Sequence, residues 1–575
     1  MLKRSLLLTL AIALVVTAIA SVPARAGRQQ PASVPADMVL INGKVVTVET
    51  AQPEAQAIAI AGDKIAAIGS TADVRRHVGP NTQVIDLKGQ LVIPGFIEGH
   101  GHFTGVGLAQ LNLNLMNTQS WDEIVKMVAE AAKTAKPGQW IYGRGWHQEK
   151  WTSRPEPNVE GFPVHQSLSK VSPDNPVLLT HASGHASFAN AKAMELSKVT
   201  GQTPNPQGGD FLKDAQGNPT GLFRETASRL IRGGTGEPRL SADEEEARQR
   251  RILELASQEV LRKGVTSFQD AGSTTSDVDR MKRLIDEGKI NVRLWVMLRM
   301  NNQALTTNLA KYRTIDYANG FLTVRGIKKS IDGALGPRGA WLLEPYSDKP
   351  GDTGHNTTTI EEIREASKLA IQHGYQMCVH AIGDRANRET LDIFEEFYKA
   401  NPGKDLRWRV EHAQHLHPSD IPRFGALGVI ASMQGVHCTS DAPYVTARLG
   451  ARRAEEGAYV WQKLMKSGAV VSNGTDAPVE DVDPIASFYS TVSRRTKDGT
   501  VFYPDQRMTR LEALKSYTIN GAYAAFEEAS RGSLTKGKYA DMVVLSKDIM
   551  TVPEEQIPSA EVMYTIVGGK VRFKK

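Results

Sequence analysis

Between residues 37 and 85 the apolar positions fall in short runs broken by tight-turn residues: 38–41, Asn42-Gly43, 44–48, then 57–61, Gly62-Asp63 and 64–68. Asn-Gly and Gly-Asp between apolar runs are hairpin signals, because these residues accept the positive φ of two-residue turns. The same pattern returns near the other end, in 541–545 and 562–567, with Gly568-Gly569 leading into 570–573. Both ends are therefore expected to build one small β-sandwich domain, 37–90 with 530–575, into which the middle of the chain is inserted.

The middle alternates β-branched runs with helical stretches, the pattern of a parallel α/β arrangement. Eight strands are predicted, at 91–96, 264–269, 292–297, 324–331, 375–380, 408–412, 429–433 and 470–473. Eight is the number that closes a TIM-type barrel. The expected fold class is thus α/β, a (β/α)8 barrel over 91–529. The segment 107–259 is far longer than an ordinary connection and is expected to form a cap or side wall of the substrate pocket. Past the eighth strand, Thr509-Arg510-Leu511-Glu512 is a capping box that should open a helix running to about 526.

Ahead of the first strand, Lys3 and Arg4 precede an apolar stretch over 6–20 and an A-x-A site, Ala24-Arg25-Ala26. This is the grammar of a secretory signal peptide, 1–26, cut after Ala26. The apolar stretch is short for a membrane span, and no later run approaches 18 uninterrupted apolar residues. The expected location is periplasmic or secreted, with no membrane anchor after cleavage. The formal net charge of +6 is halved once Lys3, Arg4 and Arg25 are removed, which argues against nucleic-acid or membrane-surface partners. A small-molecule substrate is the expected partner, and a homodimer stays open. Two cysteines, Cys378 and Cys438, exclude both a disulfide scaffold and a CxxC zinc knuckle.

The chemistry-bearing residues cluster at predicted strand ends. His100-Gly101-His102 follows the first strand; two histidines one residue apart on a strand point to the same side and can reach one ion. Three more residues hold equivalent places: His380 and His412 close the fifth and sixth strands, and Asp476 lies just past the eighth. Convergence on the C-terminal mouth of a barrel accounts for all five, and imidazole with carboxylate suits zinc or a similar divalent ion, one or two in number. The fourth strand carries Lys328 and Lys329 on opposite faces. A lysine facing the barrel interior would be driven neutral, and a neutral amine can react with carbon dioxide to give a carbamate that bridges two metals. Alternation alone leaves open which of the two faces inward. In the long insertion, Trp146 and His185 are candidate substrate contacts, as is Arg338 after the fourth strand; packing of the cap is the competing role for the tryptophan. Cys378 shares the face of His380 but reads as a small core residue.

Pro94-Gly95-Phe96-Ile97, His100-Gly101-His102, Asp332-Gly333-Ala334-Leu335-Gly336, His380-Ala381-Ile382-Gly383-Asp384, Glu411-His412-Ala413-Gln414 and Thr475-Asp476-Ala477-Pro478 together carry a resemblance. The chain resembles the amidohydrolase superfamily, and within it the YtcJ-like amidohydrolase 3 branch that includes N-substituted formamide deformylases. The resemblance implies that His100 and His102 hold the more buried metal, while His380 and His412 hold a second metal or assist the substrate carbonyl. It implies Lys328 as the bridging position, with Asp476 touching metal and water. Glu98 departs from the pattern, standing where the superfamily often has Asp. The expected reaction is hydrolysis of an amide, formamide or cyclic amide by metal-activated water, with Asp476 and His412 catalytic. The alternatives are an esterase, lactonase or carbamate hydrolase on the same site, or a ligand-binding scaffold without turnover.

Overall fold

The computed structural model describes residues 35–233 and 240–575; the expected signal peptide lies outside them. Eight parallel strands pair in chain order: β1 (Phe96–Gly101), β2 (Val265–Ser273), β3 (Arg293–Leu298), β4 (Leu322–Ser330), β5 (Gln376–Ala381), β6 (Arg409–His412), β7 (Ile430–Gln434) and β8 (Val471–Gly474). β8 returns to β1 and closes the barrel. Asp476 N donates to His100 O at 2.8 Å, and Thr475 N to Glu98 Oε1 at 2.6 Å. Two glycines permit this seam: a Cβ on Gly99 would lie 2.4 Å from Asn473 O, and one on Gly474 2.5 Å from Glu98 Oε1. The fold is a TIM-type barrel.

Seven of the predicted strands lie within two residues of β2 to β8, apart from the longer C-terminal end of β2. The first is different. Residues 91–96 do not form one barrel strand: Leu91–Pro94 belongs to the sandwich, parallel to Lys44–Val46 and antiparallel to Met542–Leu545. The chain changes sheets at Gly95, where a Cβ would sit 2.1 Å from Thr266 Oγ1. Only then does β1 begin.

The sandwich has two sheets. One orders Lys64–Gly69, Ala57–Ala61, Met38–Ile41 and Gln83–Asp86; the other orders Lys570–Lys574, Val562–Val567, Met542–Leu545, Leu91–Pro94, Lys44–Val46 and Glu54–Ala55. Leu40, Ile58, Val92, Val544 and Ile566 fill the space between. Gly62-Asp63 and Gly568-Gly569 turn true hairpins, but Asn42-Gly43 does not. Its flanking strands enter different sheets, and a Cβ on Gly43 would lie 2.4 Å from Leu87 Cδ1, so the turn is pressed into the interior and carries the chain across.

The insertion forms a cap with a six-stranded sheet running from Gly209–Lys213 through Ile141–Trp146 to Leu113–Asn114. It is shorter than the predicted 107–259. Helix Ala242–Arg262 instead packs Ile252, Leu253, Ala256 and Val260 on the barrel, facing helix Phe103–Ala109. The helix expected from Thr509 breaks into Arg510–Ser516 and Ile519–Ala524, because Tyr517 turns inward and donates its hydroxyl to Gly474 O at 2.9 Å.

Candidate metal centre

His100 lies in β1, and His102, one residue beyond it, caps helix Phe103–Ala109. His380 lies in β5, His412 ends β6, and Asp476 follows β8 by two residues. Parallel strands of one barrel end on one face, so these side chains converge. One donor atom from each of His100, His412 and Asp476 lies within 4.8 Å of the others. Asp476 Oδ1 stands 3.1 Å from His102 Nε2 and 3.6 Å from His100 Nε2, while the rings of His380 and His412 are 4.5 Å apart.

The backbone is bent to achieve this. His412, Ala413 and Asp476 have φ of 77°, 44° and 56°. Left-handed conformations of non-glycine residues cost about 1–3 kcal/mol each and persist only where the surroundings enforce them. At His412 the bend breaks strand alternation, so that Glu411 and His412 both serve the site.

Glu411 is fully buried. It accepts a hydrogen bond from His100 Nδ1, and Arg409 Nε lies 2.7 Å from its other oxygen. Burial opposes its charge, but Arg409 and His100 outweigh burial and hold it well below the usual carboxylate range. His412 Nδ1 lies 2.7 Å from Gln434 Oε1, an acceptor, so Nδ1 carries the hydrogen and Nε2 presents its lone pair to the cluster. Burial, with Lys328 beside it, lowers the pKa of His100 to about 4 and, with neighbouring imidazoles, pushes those of His380 and His412 well down. Asp476 is held well below its ordinary value, since His102 and His100 outweigh its burial. Neutral imidazoles around an ionised carboxylate are the protonation states a metal site requires.

Among the buried atoms at the centre, His380 Nε2 and Asp476 Oδ1 lack a hydrogen bond of good geometry, although Asp332 and His102 stand beside them. An unpaired buried polar atom costs about 1–3 kcal/mol. A divalent cation between them would satisfy both, and the nitrogen and oxygen donor set fits one.

Residues 83–573 match the Amidohydrolase family. The chain belongs to that family. It is 34% identical to Protein LONG AFTER FAR-RED 3 of Arabidopsis thaliana, over 94% of this chain and 92% of that one. It is 29% identical to Putative amidohydrolase YtcJ of Bacillus subtilis (90% and 96% covered) and 26% identical to N-substituted formamide deformylase of Arthrobacter pascens (94% and 98%). Among solved structures, an uncharacterized metal-dependent hydrolase of Pyrococcus horikoshii superposes with a TM-score of 0.71 at 26% identity, covering 90% of this chain and 99% of that one. The resemblance read from the motifs is thus the relationship found.

In this amidohydrolase Lys328 is the lysine that faces inward. Its Nζ lies 3.2 Å from His100 Nε2, whereas Lys329 reaches out to Glu362 at 3.0 Å and Met300 O at 3.2 Å. Burial lowers Lys328 to about 8, so a share of its amine is neutral near neutral pH. Glu98 receives Thr475 N and Thr475 Oγ1 and ties β1 to β8; burial lifts it to about 8. Cys378 is buried and its thiol is pushed up by burial, which fits a core residue.

Of the expected substrate contacts, His185 reaches the centre: its ring is 4.9 Å from that of His380, and its Nδ1 is 2.7 Å from Glu225 Oε2. Burial alone would lower the His185 pKa, but Glu225 outweighs burial and raises it. Trp146 and Arg338 line neither cavity beside the centre. Trp146 is fully buried against Trp151, Phe188 and His181 in the cap's own core, donating its indole hydrogen to Leu179 O at 3.0 Å. Arg338 is paired with Asp348 at 3.0 Å. Four supports escaped the sequence reading: Glu411, Gln434, Glu225 and Asp332, the last accepting backbone hydrogens from Trp341, Ile382 and Gly383. Glu411 and Asp332 had a signal, since Arg409 and Glu411 are oppositely charged neighbours on one face of a barrel strand and Asp332 opens one of the motifs that carry the resemblance.

Two cavities flank the centre. A narrow one runs between Leu335, Gln414, His437, Asp441 and Tyr444. A wide one opens between cap and barrel beside His102, His185 and Lys328.

Proposed function

We propose that this amidohydrolase cleaves the carbon–nitrogen bond of a small amide, formamide or cyclic amide with a divalent metal, most simply zinc. The observation that supports the reading is the convergence of the buried Asp476 Oδ1 with the imidazoles of His100, His102 and His412. His100, His102 and Asp476 would hold one ion, and His380 and His412 would hold a second or face the substrate carbonyl, with a carbamate of Lys328 between. When bound, the ion supplies Lewis acidity, which lowers the pKa of water and polarises a carbonyl. Asp476 takes the proton of the attacking water and hands it to the leaving nitrogen, which would otherwise depart as a poor anion. His412 is fixed by Gln434 with Nε2 inward. His185, whose pKa is raised by Glu225 against its burial, would donate to the carbonyl oxygen as it gains charge.

The deformylase at 26% identity supports the choice of a carbon–nitrogen bond, and the motifs at 24–26 support export to the periplasm or medium. The test is metal content by elemental analysis, together with turnover of a panel of N-substituted formamides, other amides and matched esters before and after chelation. Chelator-sensitive amide turnover exceeding ester turnover relative to the uncatalysed rates is expected; ester-only turnover would overturn the reading.

A further inference from the structure

The wide cavity carries a charge excess that the metal centre does not explain. Three carboxylates line it, and each is already engaged: Glu225 by His185, Glu362 by Lys329, and Asp332 by three backbone amides. Lining the same cavity are Arg144, Arg229 and Arg299. Among the described residues none of the three has a carboxylate within ion-pair distance. Arg144 is spent on carbonyls, giving Nε to Pro478 O at 3.1 Å and Nη2 to Ala182 O at 3.3 Å. Arg299 holds only Ser330 Oγ, at 3.3 Å.

Arg229 and Arg299 come from different parts of the molecule. Arg229 sits in the short 3-10 turn Thr226–Leu230 of the cap, and Arg299 directly follows β3 of the barrel. Arg299 is aimed over Gly272, where any Cβ would lie 2.7 Å from its Cδ, and Gly272 has a φ of 146° that a side chain would rarely adopt. Burial, with the like charge of Arg229, disfavours the charge on Arg299, a cost that an anion bound beside it would offset. Three other buried arginines are matched by carboxylates, Arg224 by Asp210, Arg293 by Asp541 and Arg448 by Glu149 and Asp348, while Arg494 in the core is held by the carbonyls of Tyr459 and Phe502 and lines neither cavity at the centre.

We infer that Arg229 and Arg299 form a subsite for a carboxylate on the substrate, so that this enzyme acts on amides bearing an acid group. Guanidiniums present paired hydrogen atoms that match a carboxylate, and a site that desolvates them favours charged over neutral substrates. His185, Lys328 and His102 line the same cavity as the two arginines, so one substrate could engage both the arginines and the centre.

The inference rests on the amide reading above, so its test has an arm that needs no turnover. In isothermal calorimetry, succinate is titrated into the metal-loaded full protein and into the Arg229→Gln/Arg299→Gln variant, with inorganic phosphate as the comparison anion. Succinate should bind wild type and lose at least about tenfold affinity in the variant, as removal of charge-assisted bonds predicts. Undiminished binding in the variant overturns the subsite, and preference for phosphate over succinate overturns the carboxylate assignment. In the kinetic arm, N-formyl ω-amino acids are compared with their carboxamides. Wild type should favour the acids by at least about tenfold in kcat/KM, and the variant should bring that ratio towards one through KM. Equal turnover of acid and carboxamide by wild type overturns the inference while leaving the amide reading intact. Succinate binding without turnover of any amide would do the reverse. The far-ultraviolet circular dichroism and metal content of the variant establish that it is folded and loaded.

Discussion

Glu411 accepts a hydrogen bond from Nδ1 of His100 across the barrel interior, while Arg409 fixes Glu411 from the other side. The imidazole is thereby held in one tautomer with Nε2 towards Asp476 and Lys328. Such supports typically contribute 10–100-fold to metal affinity. Glu411→Gln, which keeps the shape and removes the charge, is expected to weaken metal binding by about that factor. A competition titration with a chromophoric chelator measures it; wild-type affinity would mean that His100 is oriented by its strand alone.

Lys328 and Lys329 offer an internal control. Lys328→Ala should lose metal and turnover, with partial recovery on adding a short carboxylic acid such as acetate or propionate. Lys329→Ala removes an ion pair to the half-exposed Glu362, a contact worth about 0–1 kcal/mol, and should leave metal content alone. Loss of metal in the Lys329 variant would contradict the observed strand phase.

Asp476→Asn keeps one oxygen for a metal and removes the base. Turnover of an amide is expected to fall by about 10²–10⁴-fold, and that of a matched activated ester by less, because an ester leaves without needing a proton. Equal losses on both substrates would confine Asp476 to activating water. Near-normal amide turnover would remove it from the chemistry.

The barrel seam makes a prediction about stability. Gly99→Ala would set a methyl carbon 2.4 Å from Asn473 O, a backbone atom that cannot swing aside. Overpacking of this kind costs about 1–3 kcal/mol, and here it separates β1 from β8 and with them His100 from Asp476. A lowered Tm and weakened metal binding should appear together. An unchanged Tm would show that the seam is looser than its geometry.

The barrel is legible because its strands are short β-branched runs between helical stretches, and the candidate site because His100, His102, His380, His412 and Asp476 stand in or just past strand ends, where position in sequence translates into position in space. Lys328 needed the structure, since alternation separates two adjacent lysines without saying which side is the interior. The cap was the opaque part. His185 and Glu225 meet 40 residues apart by cross-strand geometry, and Arg229 of the cap comes to line one cavity with the barrel's Arg299 through a tertiary fold that no local pattern announces. Trp146 carries two readings in the sequence, substrate contact or cap packing, because an aromatic over a barrel mouth and an aromatic inside a cap read alike until burial is known; it is buried in the cap's core. The false hairpin at Asn42-Gly43 has the same origin: turn chemistry specifies the bend, and packing against Leu87 decides which sheet receives the chain.

The sandwich places Leu91–Pro94 between Lys44–Val46 and Met542–Leu545 in one sheet. During synthesis its N-terminal strands emerge first, yet the strand that pairs with Leu91–Pro94 on its other side is made only after the whole barrel. Until then an apolar edge of the sheet has no neighbour, and open edges invite pairing with other chains. Completion of this sheet therefore waits for the last strands, and a chain interrupted anywhere in the barrel would leave one edge of it open. Appending sequence to the C-terminus during expression should be judged on whether it delays that final pairing rather than on its distance from the metal.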